Sequence, residues 1–265
     1  MNLSKIFGIL LFFILLLSAC KKDAPCKSLM FGIPNNKTGL STSVCKPVCE
    51  CGDFASTSFT QAQLDDLKTW VLYDTISELS VNPYDFPVIT LPESVCAIKV
   101  EDLNAKIYSL QNYNSPKEAL ADGAILTHYD ACGKCSTLQD FVVYADNIDI
   151  GSDVRQCILA NFTSPFDTLV ACIETLGFTK PCAQIWAYNA KNTQAECLAV
   201  CLADTTYNKP NGQLSDCLQC DETKSGPVFK AVSGRTRRNT GIASSICRYC
   251  EEVQYVLMII RNSLT

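Results

Sequence analysis

The sequence has one histidine, His128, and only six arginines against 16 lysines. A single imidazole excludes the His-Glu-x-x-His zinc proteases, which need two on one helix face. No Gly-x-Ser-x-Gly elbow is present, which removes the usual serine-hydrolase arrangement, and neither a P-loop nor a dinucleotide fingerprint occurs. Charged residues make up 18% of the chain and the formal net charge is −5, an acidic balance that argues against nucleic acid as the main partner. No repeat of fixed period is found. Hydrophobic content of 48% describes a packed chain, and 265 residues suffice for one large domain or two small ones.

Cysteine is abundant instead: there are 17. Their meaning depends on the compartment, which the N-terminus addresses. Lys5 is followed by an almost wholly apolar run from Ile6 to Leu17 and then by Leu17-Ser18-Ala19-Cys20. A basic start, a short apolar core and small residues before a cut describe an export signal, since the run is short for a membrane span. The segment resembles the lipobox of bacterial lipoproteins. That resemblance implies cleavage before Cys20, acylation (palmitate among the acyl chains) of this cysteine, and a membrane as partner through the lipid. Lys21, where an aspartate would favour the inner membrane, points to the outer membrane. The expected organisation is a signal peptide over 1–19, the lipidated cysteine and a tether over 20–44, and a cysteine-rich helical domain over 45–265.

Setting Cys20 aside leaves 16 cysteines, an even number that reads as a disulfide framework in an exported chain. Connectivity stays open, with roughly two million complete pairings possible. Cys132/Cys135, Cys217/Cys220 and Cys247/Cys250 are Cys-x-x-Cys pairs. Two such pairs can hold a structural zinc, but export favours disulfides. None precedes a histidine, so haem attachment is excluded. No motif calls for a metal or cofactor.

The chain reads as mainly α: a single disulfide-rich helical domain with at most a few short strands. Thr60 with Gln63 forms a capping box, and Ser115-Pro116-Lys117-Glu118 is a helix start. Leu103, Ile107 and Leu110 predict a helix over 101–111, while Val88-Ile89-Thr90 and Ala124-Ile125-Leu126 suggest strands. Helices are predicted from Ser136, Ser152, Ser164-Pro165 and Thr179-Lys180-Pro181, with a further start at Thr193. A last one is expected through Ile246, Cys250, Val253, Leu257 and Ile260. Many cysteines fall inside these apolar stripes, which predicts helix-to-helix bridges.

Two stretches are dense in chemistry. The first runs from Thr127 to Ser136, where a strand hands over to a helix start and unpaired N–H groups stabilise a thiolate or anion. Cys132-Gly133-Lys134-Cys135 resembles the redox pair of thioredoxin-like proteins, although no aromatic precedes Cys132 and the flanking chain lacks β/α alternation. His128 is a candidate base for Cys132 or for a substrate, with Tyr129 beside it; the alternative is a buried histidine satisfied by a carbonyl. The second stretch runs from Asp221-Glu222 to Gly241 and concentrates half of the arginines in Arg235, Arg237 and Arg238. Guanidinium forks suit an anionic small molecule or polyanion, and Glu222 is a candidate acid or base; a solvated basic loop is the alternative.

Two functional classes follow. One is a lipid-anchored envelope protein that binds an anionic ligand or partner. The other is an envelope enzyme that joins His128, Tyr129 and a Cys132–Cys135 thiol or disulfide to the arginine loop.

Overall fold

The structure, a computed structural model, describes Leu29–Met30 and residues 59–256 apart from 89–91, 210, 243, 250–251 and 255. The export signal, the lipobox, most of the tether, Cys26, Cys45, Cys49, Cys51, Cys250 and two residues of the predicted strand at Val88 lie outside the described residues.

The domain is mainly helical, disulfide-rich, and carries a four-stranded sheet and a separate two-stranded one. Its elements in chain order are β1 (Leu29–Met30), α1 (Gln61–Leu67), β2 (Val71–Leu72), a 3-10 turn (Pro83–Asp85), β3 (Val95–Asp102), β4 (Ile107–Tyr113), α2 (Pro116–Ala121), β5 (Ile125–Tyr129), α3 (Leu138–Asp146), α4 (Ile150–Ala160), α5 (Phe166–Glu174), α6 (Lys180–Ala203), α7 (Asp216–Lys224), α8 (Gly226–Ser233), α9 (Arg237–Thr240) and β6 (Arg248–Tyr249). The sheet order is β2-β4-β3-β5, with β3 antiparallel to both neighbours and β2 parallel to β4. Separately, β1 pairs antiparallel with β6, so part of the stretch read as tether is fixed to the body.

Local signals place several helices. Thr60 closes the capping box with Gln63, and the Ser115 hydroxyl accepts from the Glu118 N–H with Pro116 at the first helical position. The Glu118 carboxylate reaches back to Asn114 rather than to Ser115. The predicted start at Ser136 moves one residue on. Thr137 caps α3 through Asp140, and Ser136 is drawn into the core.

Four expectations are corrected. Residues 101–111 form the end of β3, the turn and most of β4 in a β-hairpin, reversed through Lys106 at φ +54°. Leu103 is exposed at that turn instead of lying on a helix face. Helix α4 starts at Ile150, before Ser152. No helix starts at Thr193, because α6 runs unbroken for 24 residues, about 36 Å. Among the described residues 244–256 no α-helix forms; that chain is extended where it pairs with β1.

Helix α6 is the spine. Cys197 and Cys201, four apart and on one face, bond Cys220 and Cys217 of antiparallel α7. Cys157–Cys172 joins α4 to α5, and Cys135–Cys182 ties the α3 entry to the start of α6. These are the predicted bridges within the packed layer. The Gly226-Pro227 step separates α8 from α7, and Phe229 then meets Trp186 of α6 edge-to-face at 4.9 Å. The core lies between the sheet and α3, with Ile98, Tyr108, Leu138, Phe141, Ile173 and Ile185 all fully buried.

Candidate functional site: a buried clasp and an open cavity

The two chemistry-dense stretches meet in space. The Lys134 N–H donates to the Val232 carbonyl (2.9 Å) and the Cys135 N–H to the Ser233 carbonyl (2.8 Å). The backbones approach so closely that a Cβ on Gly133 would lie 2.5 Å from the Gly234 nitrogen. Gly234 itself has φ +72°, a conformation glycine adopts without strain.

The contact is a structural clasp. Arg235 is fully buried, and its guanidinium donates to the carbonyls of Cys135 (3.1 Å), Thr127 (3.1 Å) and Ser136 (3.2 Å) and to the Thr127 hydroxyl (2.5 Å). It also lies over the Phe141 ring at 5.1 Å. Burial lowers its pKa to about 10, still far above neutrality. Its donors are spent on buried carbonyls and threonine hydroxyls, so Arg235 does not serve as an exposed anion ligand. Asn239 completes the clasp with bonds to the Tyr129 carbonyl and the Asp130 carboxylate, both 2.9 Å.

His128 is likewise interior. Nδ1 lies 2.7 Å from the Tyr129 carbonyl, which can only accept, so Nδ1 carries the proton. Nε2 therefore accepts from the Ser136 hydroxyl at 2.7 Å, and that oxygen accepts from the Gly133 N–H at 2.8 Å. Burial, then the charge of Arg235, pushes the imidazole pKa well below its ordinary range, so His128 is neutral. A fully buried histidine that donates to a carbonyl matches the alternative of a satisfied core residue. Tyr129, half-buried, enters this network through its carbonyl. Cys132 bonds Cys96 and Cys135 bonds Cys182. The vicinal pair is thus replaced by two structural bridges, and neither sulfur is a free nucleophile. Cys217 and Cys220 also take separate partners, and Cys247 is disulfide-bonded. Among the described residues no three His, Cys, Asp or Glu side chains cluster as a metal site.

Arg237 and Arg238 turn the other way, to the wall of a cavity of about 440 Å3. Helices α4, α6 and α7 and the chain from 236 to 253 enclose it. Tyr144, Ile150, Val154, Ala190, Ile242 and Val253 form its buried apolar surface. Arg237 donates to the Asn147 carbonyl and lies 5.6 Å over the Tyr144 ring; burial lowers its pKa to about 10. Glu222 is held between two arginines, at 2.6 Å from Arg238 Nη2 and 2.5 Å from Arg248 Nη2. Burial alone would raise its pKa, but Arg248 and Arg238 outweigh that effect and hold it below the usual range. Adjacent Asp221 accepts from Thr193 and, at 3.3 Å, from Asn189; burial raises its pKa.

The lining carries five cationic side chains (Arg155, Lys230, Arg237, Arg238, Arg248) and three carboxylates (Asp149, Asp221, Glu222). Glu222 fixes where both guanidiniums point, Glu252 meets Arg248 Nη1 at 3.9 Å from outside the lining, and the lining as a whole carries more cations than carboxylates. Arg248, Tyr207 and Asp149 carry no motif in the sequence; the only hint of Arg248 is the scarcity of arginine. The cavity volume is within the range of about 300–1,000 Å3 typical of small-molecule sites.

Comparison with known proteins places most of this cavity in a recurring unit. Residues 166–256, from α5 through β6 and including every cationic lining residue except Arg155, match a family of unknown function (DUF8771). No curated protein and no solved structure matches the chain.

Proposed function

We propose that the chain is a lipid-anchored protein of the bacterial cell envelope, at the outer membrane, that binds an anionic ligand in the cavity beside α6. The observation that carries the ligand reading is the Arg238–Glu222–Arg248 triad, which puts two guanidiniums and one carboxylate in a largely apolar wall. Anchoring rests on the resemblance of Leu17-Ser18-Ala19-Cys20 to a lipobox. Binding is favoured over catalysis because Cys132 and Cys135 are closed in separate disulfides and His128 is sealed in the core.

Two measurements test this reading. Cys20→Ser should move the protein from the membrane to the soluble fraction and abolish labelling by radioactive palmitate; an unchanged distribution defeats the anchoring. Anions that bind the native fold raise its melting temperature. At equal ionic strength, phosphate or acetate should raise it above chloride, and Arg238→Gln should remove the increment. No increment with any anion tested, the long-chain ones below included, defeats the ligand reading.

A further inference from the structure

The cavity has an unusual distribution of polarity. Five of the large apolar side chains exposed to solvent line this one site: Leu202 (73% exposed), Leu159 (65%), Phe162, Leu198 and Ile148. Of its charged groups Arg248 (8% exposed) and Glu222 (24%) are set deeper, with Arg238 and Lys230 nearer solvent. An exposed apolar rim beside a buried arginine–carboxylate pair inverts the usual order, and exposed apolar patches of this kind mark binding sites. A small hydrophilic anion would use the triad and leave the rim wet. A purely apolar ligand would cover the rim and strand the charges.

Resting on the anion-binding reading above, we infer that the ligand is a single-chain amphiphile with an anionic head, entering head first. The head meets the guanidiniums of Arg238 and Arg248, and the hydrocarbon chain lies on Ile158, Leu198 and Ala190 and leaves past Leu159 and Leu202. The carboxylate or phosphate of the head shares the arginine pair with Glu222, which engages one nitrogen of each guanidinium, and competes at Arg248 Nη1 with the more distant Glu252 at 3.9 Å. Burial of the chain supplies the affinity, about threefold to fourfold for each methylene covered.

Trp186 lines the cavity and reports occupancy by its fluorescence. The full mature chain in phosphatidylcholine nanodiscs, with empty nanodiscs subtracted, is titrated with acetate, inorganic phosphate, hexanoate, decanoate, decyl phosphate and decanol. The expected result is that decanoate binds on the order of 100-fold more tightly than hexanoate, that decyl phosphate exceeds inorganic phosphate by a still larger factor, and that the better of the two binds at least tenfold more tightly than decanol. A stronger response to one of the two decyl probes identifies the head as carboxylate or phosphate. If acetate or phosphate binds as tightly as its decyl counterpart, the amphiphile is overturned while anion binding survives. If decanol matches decanoate and decyl phosphate, the anionic head is overturned, and absence of any binding overturns both readings. Leu159→Gln, at a solvent-exposed position and without a change of charge, should weaken decanoate at least tenfold and leave inorganic phosphate unchanged. Equal loss for both probes would count against the chain path.

Discussion

The Nε2 of His128 lies 2.7 Å from the Ser136 hydroxyl, and neither side chain has any exposed surface. The pair has the spacing of a serine–histidine dyad but works as a core hydrogen bond, with a backbone carbonyl on Nδ1 and a backbone N–H on the serine oxygen. His128→Ala should therefore cost about 2–4 kcal/mol, the sum of a cavity and unsatisfied partners. Ligand binding by the remaining folded protein should be unchanged. Urea unfolding followed by Trp186 fluorescence measures the first, and saturation with decanoate the second.

The pH dependence of stability should carry two opposed contributions. His128 has a folded pKa below its unfolded value, so its contribution is complete above about pH 6.5 and is lost as pH falls. Asp140 behaves in the opposite way. Burial raises its carboxyl to about 6 despite bonds from Thr137 and Thr179, so folding is favoured below its unfolded value of 3.8 and less so as pH rises through 6. In His128→Gln the acid-side loss between pH 6.5 and 5 should shrink, whereas in Asp140→Asn the same loss should steepen. Denaturant midpoints across that range check both signs.

Arg235→Ala should destabilise by about 3–5 kcal/mol, because three buried carbonyls and the Thr127 hydroxyl lose their donor together. Arg235→Lys should rescue little of it, since an ammonium cannot match the planar fork. Full rescue by lysine in a guanidinium-chloride titration would show that charge alone matters at this position.

The two arginines flanking Glu222 should differ in proportion to burial. Arg238 is about a third exposed, so Arg238→Gln should change stability by at most about 1 kcal/mol. The Arg248 side chain is 8% exposed, and its replacement by Gln should cost about 3 kcal/mol by leaving Glu222 with one partner in a drier site. A double-mutant cycle with Glu222→Gln separates the two.

Disulfide removal should follow loop size. Cys135–Cys182 spans 47 residues and Cys157–Cys172 spans 15. On the chain-entropy argument, losing the longer bridge by paired Cys→Ser substitution should cost about 1 kcal/mol more. Thermal unfolding of the two double mutants is the comparison, and an equal loss would place the effect in native packing instead.

The parts of the fold legible in the sequence were those decided locally. Thr60 and Ser115 each stand at a helix start because capping involves residues three apart, whereas the start after Thr179 is marked by Pro181 in the first turn, the Thr179 hydroxyl bonding Asp140 instead. The 101–111 segment misled because Leu103, Ile107 and Leu110 fit a helical face. What makes it a hairpin is pairing with β3, a contact the segment itself does not encode. Thr193 looked like a cap, yet its hydroxyl bonds Asp221 across α6 and α7, where it supports the cavity wall. For the site, the arginine cluster was visible, but its division was not. Arg235 faces inward and Arg238 outward, and the backbone at Gly234 and Thr236 decides which. The cavity was illegible because its walls come from helices and loops between Tyr144 and Val253 that only tertiary packing assembles.

Four of the bridges have a nested order: Cys157–Cys172 lies inside Cys135–Cys182, and Cys201–Cys217 inside Cys197–Cys220. A chain crossing a membrane N-terminus first meets an oxidant one cysteine at a time. Pairing in order of arrival would join Cys135 to Cys157 and Cys197 to Cys201, and each such bond must be undone before a native partner arrives. Among the cysteines of these four bridges, arrival order yields no native bond. If the chain is exported as proposed, its production should need thiol–disulfide exchange, and a host without a disulfide isomerase should accumulate it in mispaired forms that migrate differently on non-reducing gels.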